Sequence, residues 1–502
     1  MKSCLAFLAG LTASIGPVLA ANTTDYTCSE TKPCDLGCCS KRGLSLTSGS
    51  GVCGLGPKFC ASDVCISSCD YKSECDPGWG MQWSNTSTCP LNVCCSQYGF
   101  CGTTSEFCGS ATVSSPSCSG TSSDARTMGY YEGWNLEHAC DTMTPNQIPL
   151  GYYTHLNFAF GSIDPDSFQI APMASDVAAL YQNVTVLKQT QPDLKVWISI
   201  GGWSFNDDDQ PTKTTFSDLA ASESAQKEFF ASLITFMVQN GFDGVDIDWE
   251  YPAADDRNGR PEDYKNYPIF LNNLRKALDG TGLVFGLSIT IPSSYWYMQH
   301  FDIVSMDPII DWFNIMTYDL HGTWDGNDPY IGANALAHTN LTEIEQSLEL
   351  LWRNNIDPAK VNLGLGFYGR SFTMSDPDCL HAGCPFKSGG KAGPCTATSG
   401  ILSDAEIKAV IAAGATVTLD EAAAVKIVTW DTDQWVSYDD AETMKMKIDF
   451  ANQHCLGGTM LWAVDMDTTN GSSINALGSD LSRAKSPTYA NNATVGMDAA
   501  WS

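Results

Sequence analysis

Phe242-Asp243-Gly244-Val245-Asp246-Ile247-Asp248-Trp249-Glu250-Tyr251-Pro252 is the stretch that decides the reading. On an extended strand side chains alternate, so Asp246, Asp248 and Glu250 share one face while Val245 and Ile247 take the other. Three acids on one buried face repel one another, and at least one must hold its proton more tightly than in water unless a cation intervenes. A carboxylic acid still protonated near neutral pH is what a general acid requires. A divalent metal is the competing explanation for stacked carboxylates, but no histidine lies nearby in sequence. A purely structural role would leave costly unpaired charge.

Outward from this stretch, short apolar runs alternate with helical periodicity. The strand candidates are Met128–Tyr131, His155–Phe160, Val196–Ile200, Gly244–Asp248, Phe285–Ile291, Phe313–Thr317, Asn362–Gly366 and Thr459–Trp462. Between them, Phe229, Phe230, Leu233, Ile234, Met237 and Val238 mark a helix face, with Gly241 as its stop. Eight such repeats predict an α/β fold of the (β/α)8 TIM-barrel type over 127–485, with a small α+β insertion at about 371–440.

Cysteine density divides the chain. Fifteen cysteines lie from Cys28 to Cys118 and five from Cys140 to Cys455, with a Ser/Gly/Thr run from Ser114 to Ser123 between the regions. The pattern predicts a signal peptide at 1–20, cysteine-rich units at 21–70 and 71–118, a linker at 119–126 and a polar tail at 486–502. Lys2, the apolar run after it and Val18-Leu19-Ala20 suit a secretory signal. Removing Cys4 with it leaves an even number of cysteines, as an oxidising compartment favours. Acceptor sequons at Asn22, Asn85, Asn183, Asn340, Asn470 and Asn492 agree with secretion.

A net charge of −30 argues against nucleic acid and acidic membranes as partners, since phosphate binding needs clustered cations. It permits a neutral polymer. No cofactor or metal is expected, and the chain is expected to be a secreted monomer.

Four motifs carry a resemblance. Asp243-x-x-Asp246-x-Asp248-x-Glu250, Ser199-Ile200-Gly201-Gly202-Trp203, Met316-Thr317-Tyr318-Asp319 and Gly458-Thr459-Met460-Leu461-Trp462 together resemble the family 18 glycoside hydrolases. That resemblance implies a chitinase acting on N-acetylglucosamine polymers by substrate-assisted, retaining catalysis, an exception to the usual two-carboxylate scheme. Glu250 would protonate the glycosidic oxygen, Asp248 would orient the acetamido group, and Asp246 would share a proton with Asp248. Tyr318 would bond the acetamido carbonyl and Asp319 would position the sugar. Gly201, Gly202, Trp203, Tyr251, Met316, Thr317, Trp324, Trp462 and Tyr131 would bind substrate. The insertion resembles the domain that deepens the cleft in bacterial-type members. Trp134, Tyr368, Trp430 and Trp435 could line the groove or simply pack the core.

The segment Cys94-Cys95-Ser96-Gln97-Tyr98-Gly99-Phe100-Cys101-Gly102, followed by Glu106-Phe107-Cys108, resembles a hevein-like chitin-binding module. The resemblance implies disulfides Cys75–Cys95, Cys89–Cys101 and Cys94–Cys108, and by analogy Cys28–Cys39, Cys34–Cys53, Cys38–Cys60 and Cys65–Cys69. It also implies an exposed sugar platform of Ser96, Tyr98, Phe100 and Phe107. The first unit departs from the pattern: Arg42 and Leu44 stand where Tyr98 and Phe100 stand in the second, an insert runs from Ser45 to Val52, and only Phe59 remains of the platform. The pairing of Cys118, Cys140, Cys379, Cys384, Cys395 and Cys455 is left open. Two other functions compete: a chitin lectin, and an endo-acting N-acetylglucosaminidase. The arrangement also resembles fungal chitinases related to killer-toxin subunits.

Overall fold

The computed structural model describes residues 26–41 and 51–485. The expected signal, Asn22, Asn492, the tail, Arg42, Leu44 and most of the insert after them lie outside the described residues. The chain divides into two units, Met1–Ser114 and Ser115–Ser502.

The first unit is built around its disulfides. An antiparallel sheet joins Thr27–Cys28, Gly51–Gly54, Cys38–Ser40 and Cys65–Ser67, and the second repeat has two two-stranded pairs. The bridges are Cys28–Cys39, Cys34–Cys53, Cys38–Cys60, Cys65–Cys69, Cys75–Cys95, Cys89–Cys101 and Cys94–Cys108, the pairs the hevein-like resemblance implies. With so few apolar side chains to bury, these crosslinks supply most of the constraint.

The second unit is a closed barrel of eight parallel strands: β1 (Arg126–Glu132), β2 (His155–Ile163), β3 (Lys195–Gly201), β4 (Gly244–Asp248), β5 (Gly286–Pro292), β6 (Trp312–Met316), β7 (Val361–Gly366) and β8 (Gly458–Trp462). Pairing of β8 with β1 and of β1 with β2 closes the ring. The helix over Glu223–Asn240 starts at a Ser222 cap that accepts from the Ala225 amide and ends at left-handed Gly241.

Inward side chains stack in layers, as this barrel requires. At the bottom, Trp197 and Trp312 stack 4.6 Å apart. Trp197 fits because β4 and β5 carry glycine beside it: a Cβ on Gly244 or Gly286 would lie 2.5 or 1.9 Å from its ring. Ser199, Asp246, Ser288, Asn314 and Tyr130 meet in the middle of the barrel through hydrogen bonds. Toward the strands' C-terminal ends lie Gly201 and Asp248, paired in register.

Between β7 and β8 a six-stranded sheet and a helix (Asp404–Ala412) form an α+β insertion. It begins directly after β7, with the strand Tyr368–Met374, and its last strand is Gln434–Tyr438. Its core contains Phe372, Phe386 and a fully buried Trp435, and Trp430 packs beside Val428 and Ile407. Trp435 is therefore a core residue of the insertion, while Trp430 is half-buried at a recess of the insertion's own surface, beside Val410 and Thr416. Three further disulfides belong to this unit: Cys379–Cys384 within the insertion, Cys140–Cys395 from the loop after β1 to the insertion, and Cys118–Cys455. Among the described residues, no helix is long and apolar enough to cross a membrane.

Candidate active site

Asp246 is fully buried in the middle layer, and both its oxygens are occupied. Tyr130 and Ser199 donate hydroxyls to Oδ2 at 2.7 and 2.8 Å, while Ser288 and the Asn314 amide donate to Oδ1 at 2.6 and 3.1 Å. Burial raises its pKa and these donors pull it back. Donors from four other strands therefore occupy both Asp246 oxygens, directly below Asp248. All are hydroxyls or an amide, a set suited to a carboxylate rather than to a metal ligand.

Asp248, one pleat higher, accepts from the Thr290 hydroxyl. Burial first, then the charges of Glu250 and Asp246, pushes its pKa well above the usual carboxylate range. Glu250 lies just beyond the strand and is 8% exposed. Burial raises its carboxyl to about 7, with Tyr251 and Arg257 opposing the rise. Two coupled carboxyls, both raised above the usual range and able to keep a proton between them, therefore stand over one that is heavily solvated by donors. A row of this kind can give a proton to a leaving group at the barrel mouth.

Gly201 has φ +116°, and a Cβ there would sit 2.0 Å from the Asp248 carbonyl oxygen. Only glycine allows β3 to turn away this close to the acid row. At Gly202, φ is +86° and a Cβ would meet the Phe160 ring at 2.5 Å. Trp203 follows, 51% exposed. Tyr251 is largely buried and stacks on Tyr297 at 4.3 Å.

Phe160 packs against both Trp134 and Trp462, with ring centres 6.0 and 5.7 Å away, and the two tryptophans lie 6.2 Å from each other. Tyr130, Met316, Tyr318 and Tyr368 belong to the same cluster. The Tyr318 hydroxyl lies 3.5 Å from Met460 Sδ, and burial keeps it protonated. Asp319 accepts from Tyr368 at 2.5 Å and from both Nε and Nη2 of Arg370 at 2.7 and 2.6 Å. Burial alone would raise its carboxyl; Arg370 and His338 outweigh it and hold it well below the usual range. Arg370 also lies over Trp324, whose ring centre is 4.8 Å away and which is 43% exposed.

Several expected residues sit elsewhere. Tyr131 is completely buried on the outer face of β1, bonded to the Met143 carbonyl and packed on Phe158. Its neighbour Tyr130 holds the inward position, because alternation from Met128 turns the even-numbered residues inward. Thr317 is also fully buried and donates to the Gly364 carbonyl at 2.6 Å, tying β6 to β7 rather than facing substrate. In the first unit Tyr98 is 42% exposed and Phe107 half-buried, its ring lying over Gly102. Phe100 is only 4% exposed, at a recess it shares with Leu36, Leu55 and Tyr71. The two cysteine-rich repeats pack together there, so Phe100 serves their shared core. Ser96 is buried too, its hydroxyl accepting from the Phe100 amide. Sequence reasoning missed Tyr130, Thr290, Arg257 and Arg370, all brought to the site from other strands or loops.

The model of the glycosyl hydrolases family 18 matches residues 126–467, spanning all eight strands and the acid row. The chain belongs to that family. The model of a chitin recognition protein matches residues 79–118. The family 18 chain is 32% identical over 76% of its length to "Secreted chitinase LysM12" of Penicillium expansum, and 35% identical over 64% to "Killer toxin subunits alpha/beta" of Kluyveromyces lactis. It spans only 27% and 28% of those relatives' lengths. Among solved structures, the Group IV chitinase of Ostrinia furnacalis in complex with allosamidin superposes with a TM-score of 0.65 at 26% identity, covering 71% of this chain and 99% of that one. Human YKL-39, described as a pseudo-chitinase with retained chitooligosaccharide binding, superposes at 0.64 with 24% identity over 71% of this chain and all of that one, a likeness of fold alone. Activity within this fold therefore rests on the site.

Proposed function

We propose that this protein is a secreted chitinase that hydrolyses β-1,4 linkages of N-acetylglucosamine polymers with retention of configuration. The observation that carries the reading is Glu250: a buried carboxyl at the barrel mouth, protonated up to about pH 7, directly beyond Asp248. Glu250 gives its proton to the glycosidic oxygen as the C1–O bond breaks. The substrate's acetamido oxygen forms the new bond to C1, closing an oxazolinium ring. Asp248, favoured as carboxylate once the Glu250 proton is placed, orients the acetamido N–H and offsets the positive charge. Water then attacks C1, gives its proton to the Glu250 carboxylate and reopens the ring. Tyr318 supplies a neutral hydroxyl toward the acetamido group, and Trp462 with Phe160 and Trp134 supplies an aromatic floor for the sugar.

Secretion is supported by the amino-terminal signal pattern and by the disulfides of both units. Tyr98 and Phe107 support a chitin-holding role for the second cysteine-rich repeat. The insertion, rising beside the rim at Tyr368 and Arg370, supports a deep cleft and processive or exo-type action. Chitohexaose and cellohexaose, assayed side by side, test the reading: turnover of the first alone is expected, because cellulose lacks the nucleophile. Equal turnover of both would refute it.

A further inference from the structure

Arg257 joins two loops of the barrel mouth, one leaving β3 and one leaving β4. It is only 7% exposed and ends the short turn Asp255–Arg257 after β4. Its Nε donates to the backbone carbonyl of Glu250 at 3.1 Å, its Nη1 to Asp207 Oδ1 at 2.9 Å, and its Nη2 to the backbone carbonyl of Trp203. The guanidinium carbon lies 3.7 Å from the centre of the Trp203 ring. Asn258 repeats the link, donating to the Asn206 carbonyl at 3.0 Å. Trp203 nevertheless leaves half its surface open. A large apolar ring held rigidly at its backbone and face, yet left exposed, is built for contact with another flat apolar surface.

We infer that Arg257 is a positioning residue that fixes the exposed Trp203 platform relative to Glu250, so that a sugar resting on Trp203 is held in register with the acid. The inference rests on the chitinase reading for its substrate. A planar fork can serve three acceptors and a ring face together; a lysine ammonium keeps the charge but not that geometry. The same cation and the Tyr251 hydroxyl favour the Glu250 carboxylate, against burial and against the charges of Asp319, Asp207 and Asp248; Tyr297 and Tyr318 also face the group, and Asp246 lies below Asp248.

Arg257→Lys and Arg257→Gln, alone and with Trp203→Ala, are assayed on N-acetylglucosamine oligomers of two to six units. Arg257→Lys is expected to lower kcat/KM about tenfold, the scale of one charge-assisted contact, mostly through KM. Arg257→Gln is expected to add an upward shift of the alkaline limb that the lysine variant lacks. In the Trp203→Ala background that effect of Arg257→Lys on KM disappears. An undiminished KM effect of Arg257→Lys in the Trp203→Ala background, or a loss confined to kcat, overturns the inference. Calorimetric binding of the hexamer to Glu250→Gln, with and without Arg257→Lys, separates the two readings. Binding that weakens with Arg257→Lys, in a wild type without turnover, sinks the chitinase reading and keeps this one. Binding indifferent to Arg257→Lys sinks this one alone.

Discussion

The Tyr130 hydroxyl on β1 donates to Asp246 Oδ2 on β4 across the barrel interior, at 2.7 Å. Asn314 donates to both the Tyr130 oxygen and Asp246, so the phenol and the acid belong to one network. Tyr130→Phe removes one donor from a fully buried carboxyl. The expected outcome is a loss of about 1–3 kcal/mol in stability by denaturant titration and about a tenfold fall in kcat. Tyr131→Phe, outside the barrel, should leave kcat unchanged while lowering Tm through the lost bond to Met143.

Glu250→Gln keeps the shape of the acid and removes its proton. Hydrolysis of chitin oligomers should fall by about 100- to 10,000-fold with KM little changed, the range expected for one general acid. The wild-type pH profile follows from the same group. Burial raises its pKa to about 7, so the acid form is present below that pH and is lost above it. The alkaline limb of kcat/KM should bend near pH 7, and a limb near pH 5 would contradict a buried, proton-holding Glu250.

Gly201→Ala places a methyl group 2.0 Å from the Asp248 carbonyl at φ +116°. The backbone must shift at the acid row itself. A drop of about 1–3 kcal/mol in stability together with loss of activity is expected. Gly414→Ala is the control: its φ is +104°, but no atom lies within 4 Å. That variant should lose stability only modestly and keep its activity.

Tyr98→Ala should weaken retention on particulate chitin about tenfold, the scale of one stacked aromatic, without altering turnover of soluble oligomers. Phe100→Ala should instead lower the thermal stability of the cysteine-rich unit, since that ring is buried between the repeats. A pull-down on chitin beads and a calorimetric scan read the two effects separately.

These contrasts show where local pattern informs and where it stops. The eight strands were legible because apolar runs recur with helices between them, and the acid row because alternation on one strand is a local property. The face of β1 was not: Tyr130 and Tyr131 are both apolar and adjacent, and only the position of Met128 in the closed ring selects between them. The donors around Asp246 come from β1, β3, β5 and β6, so their meeting depends on the register of distant strands. Cys118–Cys455 closes 337 residues and has no local signature. Phe100 sits in a recognisable motif, but its burial depends on the first repeat packing beside it. Arg257 looks like one more charge in an acidic turn until Glu250 and Trp203 are seen to accept from it.

The anomeric form of the first product tests most directly whether the substrate's own acetamido group and Glu250 perform the reaction. Proton NMR of chitohexaose hydrolysis, read within the first minutes, should show newly formed reducing ends in the β configuration, relaxing later to the mutarotated mixture. Initial α product would mean direct attack by water opposite the leaving group, and would contradict catalysis by the acetamido group.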